Sequence, residues 1–311
     1  MRILVTGGAG FIGSHLVERL LEVGHDVVVL DDFSSGRHGN LPRANDHLRI
    51  LEGDVADPRA AQAGCDGCRA VFHLAAVASV QKSIEDPVHS HRTNLIGTLT
   101  LLEAAANAGI RSFVYASSAA VYGDAAALPT PEDAPTHPLS PYAADKLAGE
   151  HYLAHYHRTG RVAGVAFRFF NVYGPRQDPS SPYSGVISIF LERARAGEPV
   201  TVFGDGEQTR DFVYVKDVVD QLVAALGHPV KAELEVVNLG TGREASLLEL
   251  LGALQERSGP LEVRHGPSRS GDVRHSRADV TRLRALCAQL GVEPPSTTLR
   301  DGLRAMLQPV A

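Results

Sequence analysis

Short apolar runs alternate with longer amphipathic stretches along the first half of the chain. The runs are almost continuously apolar, which is typical of parallel strands whose two faces are both covered by helices. The predicted strands are Arg2–Thr6, Asp26–Leu30, Leu48–Leu51, Ala70–Leu74, Ser112–Ala116 and Val162–Arg168. The predicted helices are Gly10–Gly24, Asp86–Gly109 and Pro141–Gly160, each ended by a glycine. This alternation predicts an α/β fold with a doubly wound parallel sheet.

The pattern changes after Asn171. A loop rich in Pro, Ser and Gly (174–185) precedes a predicted helix over 187–197, and shorter elements follow. We therefore predict a sheet domain over residues 1–172 and a smaller α/β lobe over residues 173–311, with the chain crossing between the two. Because ligands of open α/β sheets bind at the carboxyl ends of the strands, the smaller lobe should close over that edge.

Composition excludes several classes of partner. The net charge is −6 and the basic residues are dispersed, so neither nucleic acid nor an anionic membrane surface is an expected partner. No apolar stretch is long enough to span a bilayer and the N-terminus runs directly into a strand, which predicts a cytoplasmic protein. The isolated pair Cys65 and Cys68 gives neither a disulfide framework nor a complete zinc site. His151 and His155 have the spacing of a metal pair but no third ligand is apparent, so no metal is expected.

A glycine-rich stretch joins the first predicted strand to the first helix. Gly7, Gly10 and Gly13 would let the backbone approach a pyrophosphate, and the helix N-terminus offers free N–H groups and a partial positive charge. Asp31 ends the second strand, where a carboxylate accepts hydrogen bonds from an adenosine ribose and repels a 2′-phosphate. The stretch therefore predicts an NAD site, although Arg37 is a nearby cation of the kind that binds the extra phosphate of NADP.

Candidate catalytic residues follow the fifth strand. Tyr142 and Lys146 lie four residues apart, so both side chains occupy one face of the predicted helix. A phenol with a pKa of about 10 is a poor base at neutral pH, but a neighbouring ammonium and a positive nicotinamide ring both favour the phenolate. Ser118 follows the fifth strand and emerges at the same edge of the sheet, where its hydroxyl can share a proton with the reacting group.

The glycine loop, Asp31, the serine run and the Tyr/Lys pair together resemble an extended short-chain dehydrogenase/reductase, and within it a nucleotide-sugar 4-epimerase of the UDP-glucose and UDP-N-acetylglucosamine 4-epimerase kind. The similarity extends to about Asp279. It implies a Rossmann domain that binds NAD and a second lobe that binds a UDP-sugar. It also implies that Tyr142 is the base, that Lys146 holds the nicotinamide ribose and that Ser118 is the hydroxyl partner.

The resemblance and the ends of the predicted strands indicate two sets of binding residues. The cofactor set is Gly7, Gly10, Phe11, Ile12, Gly13, Asp31, Asp32, Asp54, Val55, Leu74, Ala75, Ala76, Asn94, Tyr142, Lys146 and Phe170. The substrate set is Ser118, Tyr142, Asn171, Val186, Thr201, Val202, Phe203, Gln208, Arg210, Arg269, Asp272 and Ser276. Of these, Arg210 and Arg269 are expected to clamp the diphosphate, because a planar guanidinium pairs with phosphate oxygens, and Asp272 to bind the uridine ribose.

Four residues bear on the choice of activity and substrate within the family. Dehydratases and decarboxylases carry an acidic residue just after the active-site serine, whereas this chain has Ala119 and Ala120, which favours epimerisation. Asp178 stands where uronate epimerases place an arginine, and would repel a substrate carboxylate. Ser276 replaces a bulky gate tyrosine and leaves room for an N-acetyl group without requiring one. UDP-glucose/UDP-galactose is the preferred pair, closely followed by UDP-GlcNAc/UDP-GalNAc, with UDP-glucuronate less favoured.

Two other classes stay open. A dehydratase or a plain reductase would use the same cofactor scaffold, and a non-catalytic NAD-sensing protein would use the fold without turnover. The intact Ser118, Tyr142 and Lys146 favour an enzyme over a sensor. The family commonly pairs through a four-helix bundle, so a homodimer is expected, although the sequence does not identify the contact face.

Overall fold

The computed structural model describes residues 1–124, 127–179, 185–228, 231–267 and 273–307. The strands, numbered along the chain, are β1 (Arg2–Thr6), β2 (Asp26–Asp31), β3 (Leu48–Glu52), β4 (Ala70–His73), β5 (Ser112–Ser118), β6 (Gly164–Phe169), β7 (Asn171–Tyr173), β8 (Val200–Phe203), β9 (Thr209–Arg210), β10 (Phe212–Tyr214), β11 (Glu235–Leu239), β12 (Ala245–Ser246) and β13 (Val263–Gly266). The helices are α1 (Phe11–Glu22), α2 (Pro58–Cys65), α3 (Val80–Glu85), α4 (Pro87–His91), α5 (Gly97–Asn107), α6 (Pro141–Arg158), α7 (Val186–Ala196), α8 (Val215–Ala224), α9 (Leu247–Ser258), α10 (Thr281–Leu290) and α11 (Leu299–Leu307).

A seven-stranded parallel sheet organises the molecule, in the order β11-β6-β5-β4-β1-β2-β3. The strand order reverses between β1 and β4, where Thr6 is paired with His73. Reversal of this kind opens a crevice at the carboxyl ends of the two strands, because the following loops diverge to opposite faces. The predicted doubly wound α/β fold is therefore confirmed.

Each face of the sheet is covered by its own apolar core. Along β1, Ile3 and Val5 pack into one core and Leu4 packs into the other, and all three side chains are fully buried. Alternate residues of a strand point to opposite faces, so a strand that is buried on both sides reads as an unbroken apolar run. This is the physical reason that the strands could be recognised in the sequence.

The region predicted as one helix from Asp86 to Gly109 contains a wider turn. Between α4 and α5, residues 92–96 form a π-helical turn whose buried member is Asn94. The Thr98 hydroxyl donates to the main-chain oxygen of Asn94 (2.6 Å). The same hydroxyl lies 2.8 Å from His73 Nε2 on β4, and this contact links the turn to the sheet. Single π turns within α-helices commonly occur at functional sites, and this one faces the crevice.

Helix α6 begins and ends as its sequence predicts. The Ser140 side chain caps it by accepting from Ala143 N (3.2 Å), Pro141 occupies the first turn, and Gly160 follows its end with a φ of +69°. The short helices α2 and α3 were not predicted, because six to eight residues are too few for a clear helical periodicity. None of the described helices is long and apolar enough to cross a membrane.

The chain beyond β6 forms smaller pieces around a third apolar core. Three two-stranded pairs, β10 with β7, β12 with β9 and β13 with β8, are packed by α7, α9 and α11. Within this part of the sequence, β11 returns to the large sheet and pairs with β6 in parallel, with Asn238 opposite Arg168. The two regions thus share one sheet edge.

Candidate active site

The glycine loop between β1 and α1 forms the floor of the crevice. Gly7 has a φ of +68°, and a side chain there would place its Cβ 2.8 Å from Ala75 N. A Cβ on Gly13 would lie 2.1 Å from Gly7 O, so only glycine allows α1 to pack this closely on the loop. No described side chain caps the start of α1, which leaves its first turn of N–H groups facing the crevice. A loop of this shape fits a pyrophosphate.

Two carboxylates lie at the end of β2. Asp31 is buried, and its Oδ2 accepts from Ala9 N (2.8 Å) while its Oδ1 accepts from Phe33 N (2.9 Å). Burial raises the pKa of Asp31, and the two backbone hydrogen bonds oppose that rise. Asp32 accepts from the backbone and the hydroxyl of Ser34. Both carboxylates line the crevice and offer acceptors to ribose hydroxyl groups.

Arg37 forms a salt bridge with a residue of the smaller region of the molecule. Its backbone N–H donates to Ala9 O (3.0 Å), and its Nη2 donates to Asp178 Oδ2 (2.8 Å). The guanidinium is therefore paired with a carboxylate from the segment that follows β7. Asp178 is not among the residues that line the crevice, and the predicted repulsion of a substrate carboxylate by Asp178 stays a prediction.

The wall opposite β2 is held by a chain of buried hydrogen bonds. Thr6 Oγ1 accepts from Ala75 N (3.3 Å) and donates to His73 Nδ1 (2.8 Å), and His73 Nε2 then donates to Thr98. Burial and the charge of Lys146 lower the pKa of His73 to about 3, so the imidazole is neutral. Asn94 is fully buried and accepts from Val77 N (2.8 Å), so it shapes the wall through the main chain. These bonds fix the backbone against which a dinucleotide would lie.

Ser118, Tyr142 and Lys146 meet where β5 ends and α6 begins. The Ser118 hydroxyl lies close enough to the Tyr142 phenol to lower the pKa of that phenol. Lys146 Nζ donates to Ala116 O (2.7 Å) and lies 5.9 Å from the centre of the Tyr142 ring. The ammonium is thus anchored to the strand that carries the serine, on the same helix face as the tyrosine.

The pKa of Tyr142 differs from the sequence expectation. Burial raises the pKa of Tyr142 above its ordinary value, and the nearby Ser118 hydroxyl only partly offsets this rise. Burial also lowers the pKa of Lys146 to about 8. In the protein alone, the removal of the phenol from water therefore dominates, and a lowered phenol pKa needs the further positive charge of a bound nicotinamide ring.

One cavity of about 440 Å³ connects the glycine loop to these three residues. It brings together most of the predicted cofactor residues and part of the substrate set. The predicted residues that line it are Gly7, Gly10, Phe11, Ile12, Gly13, Asp31, Asp32, Asp54, Val55, Leu74, Ala75, Ala76, Ser118, Tyr142, Lys146, Phe170 and Asn171. Asn94 is not among the lining residues, in keeping with its indirect role in shaping the wall.

The remaining predicted substrate residues lie outside this cavity. Those in the described chain are Val186, Thr201, Val202, Phe203, Gln208, Arg210 and Ser276, while Arg269 and Asp272 lie outside the described residues. Val202 is completely buried in the third core, so any ligand contact there would come from its backbone. Gln208 is buried and donates from Nε2 to Phe203 O (2.8 Å), which ties the end of β8 to β9.

Other cavity-lining residues lie outside the two predicted sets, although Gly53 precedes the predicted Asp54 and was expected beside the adenosine. They are Leu30, Ser34, Ser35, Gly53, Val77, Ala78, His89, Thr93, Ala116, Ser117, Phe169, Val172, Gln177 and Gly185. Most directly adjoin a predicted residue and could have been found from the strand ends. Gln177 had no such signal; it donates to Val172 O (3.4 Å), and its Oε1 is buried without a partner on the cavity wall.

A parallel sheet with a dinucleotide-shaped crevice and a Ser, Tyr and Lys at its edge defines a short-chain dehydrogenase/reductase of the extended kind. Residues 3–240 match the model of the NAD dependent epimerase/dehydratase family. The chain belongs to this family and is an NAD-dependent enzyme.

Full-length relatives narrow the comparison. The UDP-glucose 4-epimerase of Mycolicibacterium smegmatis is 46% identical over 97% of this chain and 96% of its own. The UDP-glucose 4-epimerase of Thermotoga maritima, solved with UDP-glucose, is 41% identical with a TM-score of 0.91 over 98% of this chain and 97% of its own. The UDP-N-acetylglucosamine 4-epimerase of Methanobrevibacter ruminantium, solved with UDP-N-acetylmuramic acid, is 34% identical with a TM-score of 0.91. The match covers 98% of this chain and 96% of that protein's chain.

Proposed function

We propose that the protein interconverts UDP-glucose and UDP-galactose by NAD-dependent inversion at C4. The observation that carries the proposal is the meeting of Ser118, Tyr142 and Lys146 at one end of the cavity, with no carboxylate beside them among its described lining residues. The acidic lining residues are Asp31, Asp32 and Asp54, all at the adenosine end. Dehydration or decarboxylation would need an acid near the sugar, whereas inversion through a ketone does not. The full-length similarity to two UDP-glucose 4-epimerases supports the same activity.

The proposed roles follow from position. Tyr142 Oη takes the proton from the C4 hydroxyl, and the C4–O bond becomes a ketone as hydride leaves the carbon. NAD, which the glycine loop and Asp31 would hold, would supply a reversible hydride acceptor and a positive ring that favours the Tyr142 phenolate. The Ser118 hydroxyl, which lowers the pKa of the phenol, would share the moving proton. After the sugar has turned over, Tyr142 would return the proton to the oxygen as the ketone is reduced on its opposite face, so protons and electrons are restored and the product is an isomer of equal mass.

The uridine diphosphate is assigned to the region beyond β6. We propose residues 1–172 as the NAD domain and 173–311 as the UDP-sugar lobe, with Arg210 and Arg269 on the diphosphate and Asp272 on the uridine ribose. Arg210 lies on β9 beside the fully buried Asp211, whose carboxylate accepts from Thr241 and Gly242. A held nucleotide leaves the hexose free to rotate, which inversion requires.

UDP-GlcNAc/UDP-GalNAc is the second candidate pair. Ser276 is half-buried and small, so an N-acetyl group meets no bulky side chain at that position. The similarity to a UDP-N-acetylglucosamine 4-epimerase supports this alternative. UDP-glucuronate is less favoured because the lining residues offer no arginine to a substrate carboxylate within the described part of the cavity.

A homodimer is proposed through the outer face of α3, α4 and α6. Val88 is 79% exposed and Ile84 is 52% exposed, and Tyr152 lies on the adjacent helix with 41% of its surface exposed. Apolar side chains of this size are rarely left together in water, and a self-complementary helical face suits two-fold pairing. Val88→Arg should convert a dimer to a monomer in light scattering; a wild-type monomer would contradict the proposal.

We also propose a cytoplasmic location. Cys65, Cys68 and Cys287 are all buried and unpaired, and burial raises the pKa of the first two thiols to about 12 and about 11. Inert reduced thiols are typical of proteins that fold in a reducing compartment. Fractionation of cells that express the tagged protein tests this.

The decisive test is incubation of the purified protein with a panel of UDP-sugars and no added reductant, with isomers resolved by NMR. Conversion of UDP-glucose to UDP-galactose without change of mass is expected. Tyr142→Phe should lower kcat by roughly 10²–10⁴-fold. The matched control is Tyr152→Phe, which should leave kcat unchanged because Tyr152 lies on the same helix outside the cavity and phenylalanine keeps the ring that the proposed dimer face uses. Equal effects of the two substitutions would refute the assignment of the base.

A further inference from the structure

Three side chains share the inner face of α6 at intervals of four residues: Tyr142, Lys146 and Glu150. The first two line the cavity, and Glu150 lies one turn deeper with 4% of its surface exposed. The helix approaches β5 closely at this depth, since a Cβ on Gly149 would lie 2.2 Å from the Tyr115 hydroxyl. The catalytic pair is therefore continued inwards by a buried acid that the proposed reaction does not use.

Glu150 is bonded to two neighbouring strands. Its Oε1 accepts from the Ser117 hydroxyl and from Arg168 Nε (2.9 Å), and its Oε2 accepts from Arg168 Nη2 (2.7 Å). Ser117 directly precedes Ser118 and is paired with Arg168 in the register of β5 and β6. Arg168 also donates to Glu132 O (2.9 Å), so its position is fixed from a second side.

The geometry points to Glu150 as a positioning residue: its carboxylate fixes the end of β5, which carries Ser118, against the face of α6 that carries Tyr142 and Lys146. The inference rests on the proposed function. It goes beyond that function because it assigns the spacing between the serine and the tyrosine to a group that touches neither substrate nor cofactor. A bidentate contact with the Arg168 guanidinium allows little freedom in this spacing.

The same carboxylate acts on Lys146 through space. The charged and titratable groups around the ammonium are Asp145 and Glu150 on its own helix, Tyr142 on the same face, Tyr115 on β5 and the neutral His73 on β4. Only Asp145 and Glu150 oppose the lowering of the Lys146 pKa by burial. Removal of the negative charge at Glu150 should therefore let Lys146 lose its proton at a lower pH, and the uncompensated Arg168 should add to that effect.

The test is the pH profile of Glu150→Gln, which keeps the size of the side chain and one acceptor oxygen. We expect kcat to fall about tenfold with a nearly unchanged KM for the UDP-sugar, and the alkaline limb of kcat to move down by about one pH unit. A merely structural role would lower kcat equally at every pH. An unmoved alkaline limb would overturn the inference.

The control is Glu103→Gln. Glu103 also accepts from both terminal nitrogens of an arginine, Arg161 (2.9 and 3.1 Å), and from Tyr156 of the same helix, but it lies on the surface. Its substitution should leave kcat and the pH profile unchanged. A shift of the limb in this variant as large as in Glu150→Gln would also overturn the inference.

A second variant separates positioning from folding. Glu150→Gln combined with Arg168→Met removes both buried charges, so no unpaired arginine is left in the core. Thermal unfolding with and without NAD checks that the variant folds and binds the cofactor. The alkaline limb should stay below its wild-type position because the carboxylate is still missing, but by less than in Glu150→Gln because the Arg168 charge is also gone. A complete return to the wild-type position would refute the role. If the wild-type protein converts no UDP-sugar, the proposed function fails, whereas activity with an unmoved limb in Glu150→Gln refutes only the positioning role.

Discussion

The two regions of the molecule hold their functional residues in different ways. In the large sheet, long parallel strands end at one edge, and the regular main chain carries Ser118 and the glycine loop to a common crevice. Beyond β6, strands of two to five residues are joined by individual side chains, as where Arg274 forms a bidentate contact with Asp205 (2.7 and 2.8 Å). The residues proposed for catalysis thus lie in the part with a regular sheet, and most of the residues proposed for substrate binding lie in the part that depends on single side-chain contacts.

The sharpest test of the rigid region is Gly13→Ala. The added Cβ would lie 2.1 Å from Gly7 O, so the loop and α1 must separate. We expect a loss of about 1–3 kcal/mol of stability and of measurable NAD binding, seen as the absence of a rise in Tm with NAD. Gly252→Ala in α9 is the control, because its Cβ meets no atom within 4 Å. A normal rise in Tm with NAD for Gly13→Ala would show that the close packing is dispensable.

The corresponding test of the smaller region is Asp211→Asn. Asp211 is fully buried and accepts from Thr241 N, Gly242 N and Ala278 N at 2.8 to 3.2 Å. An amide nitrogen facing these donors should cost about 1–3 kcal/mol and displace the adjoining Arg210. The expected result is a KM for the UDP-sugar raised about fivefold with NAD affinity unchanged.

The control for that substitution is Asp220→Asn. The Asp220 side chain is 58% exposed and makes a surface ion pair with Arg19. Loss of its charge should therefore change neither the KM for the UDP-sugar nor the NAD affinity. A fall in NAD affinity with Asp211→Asn, equal to the rise in KM, would contradict the separation of tasks between the regions.

Substrate choice within the smaller region is tested by Ser276→Tyr. A bulky ring at this position should exclude the N-acetyl group and lower kcat/KM for UDP-GlcNAc by roughly tenfold, with UDP-glucose little affected. Ser258→Tyr, at the exposed end of α9, is the matched control. Equal losses for both sugars would remove Ser276 from the substrate site.

The smallest expected effect concerns the ion pair that joins the regions. Asp178→Asn frees Arg37 beside the adenosine carboxylates, so NADP affinity should rise about two- to fivefold in equilibrium dialysis while NAD affinity stays constant. The double variant with Arg37→Gln should abolish the gain. A gain that persists without Arg37 would mean that the loss of negative charge alone is responsible.

The sequence was sufficient for the sheet because a strand buried on both faces leaves an unbroken apolar run, as in Val27–Leu30. It was insufficient for the position of β11, because the pairing of Val237 with Phe167 joins distant parts of the chain without a local signal. The π turn around Asn94 was hidden for a similar reason, since a single extra residue does not interrupt helical periodicity.

For the site, spacing along strands and helices was enough to bring Ser118, Tyr142 and Lys146 together, but their individual roles stay predictions. The raised pKa of Tyr142 was not foreseen, because burial depends on packing around the phenol and not on its sequence neighbours. The pairing of Arg37 with Asp178 was equally invisible, since it depends on how the segment after β7 lies against α1 and β2.

The large sheet cannot be completed during synthesis until β11, which lies far along the chain, has been made and has paired with β6. The outer edge of β6 carries unpaired main-chain groups until the ribosome has added residues as far as Leu239. Such an edge attracts strands of other nascent chains, and chaperone protection during that interval would matter more than after release. A C-terminal truncation that removes β11 would accordingly yield aggregates and not a free-standing NAD-binding fragment.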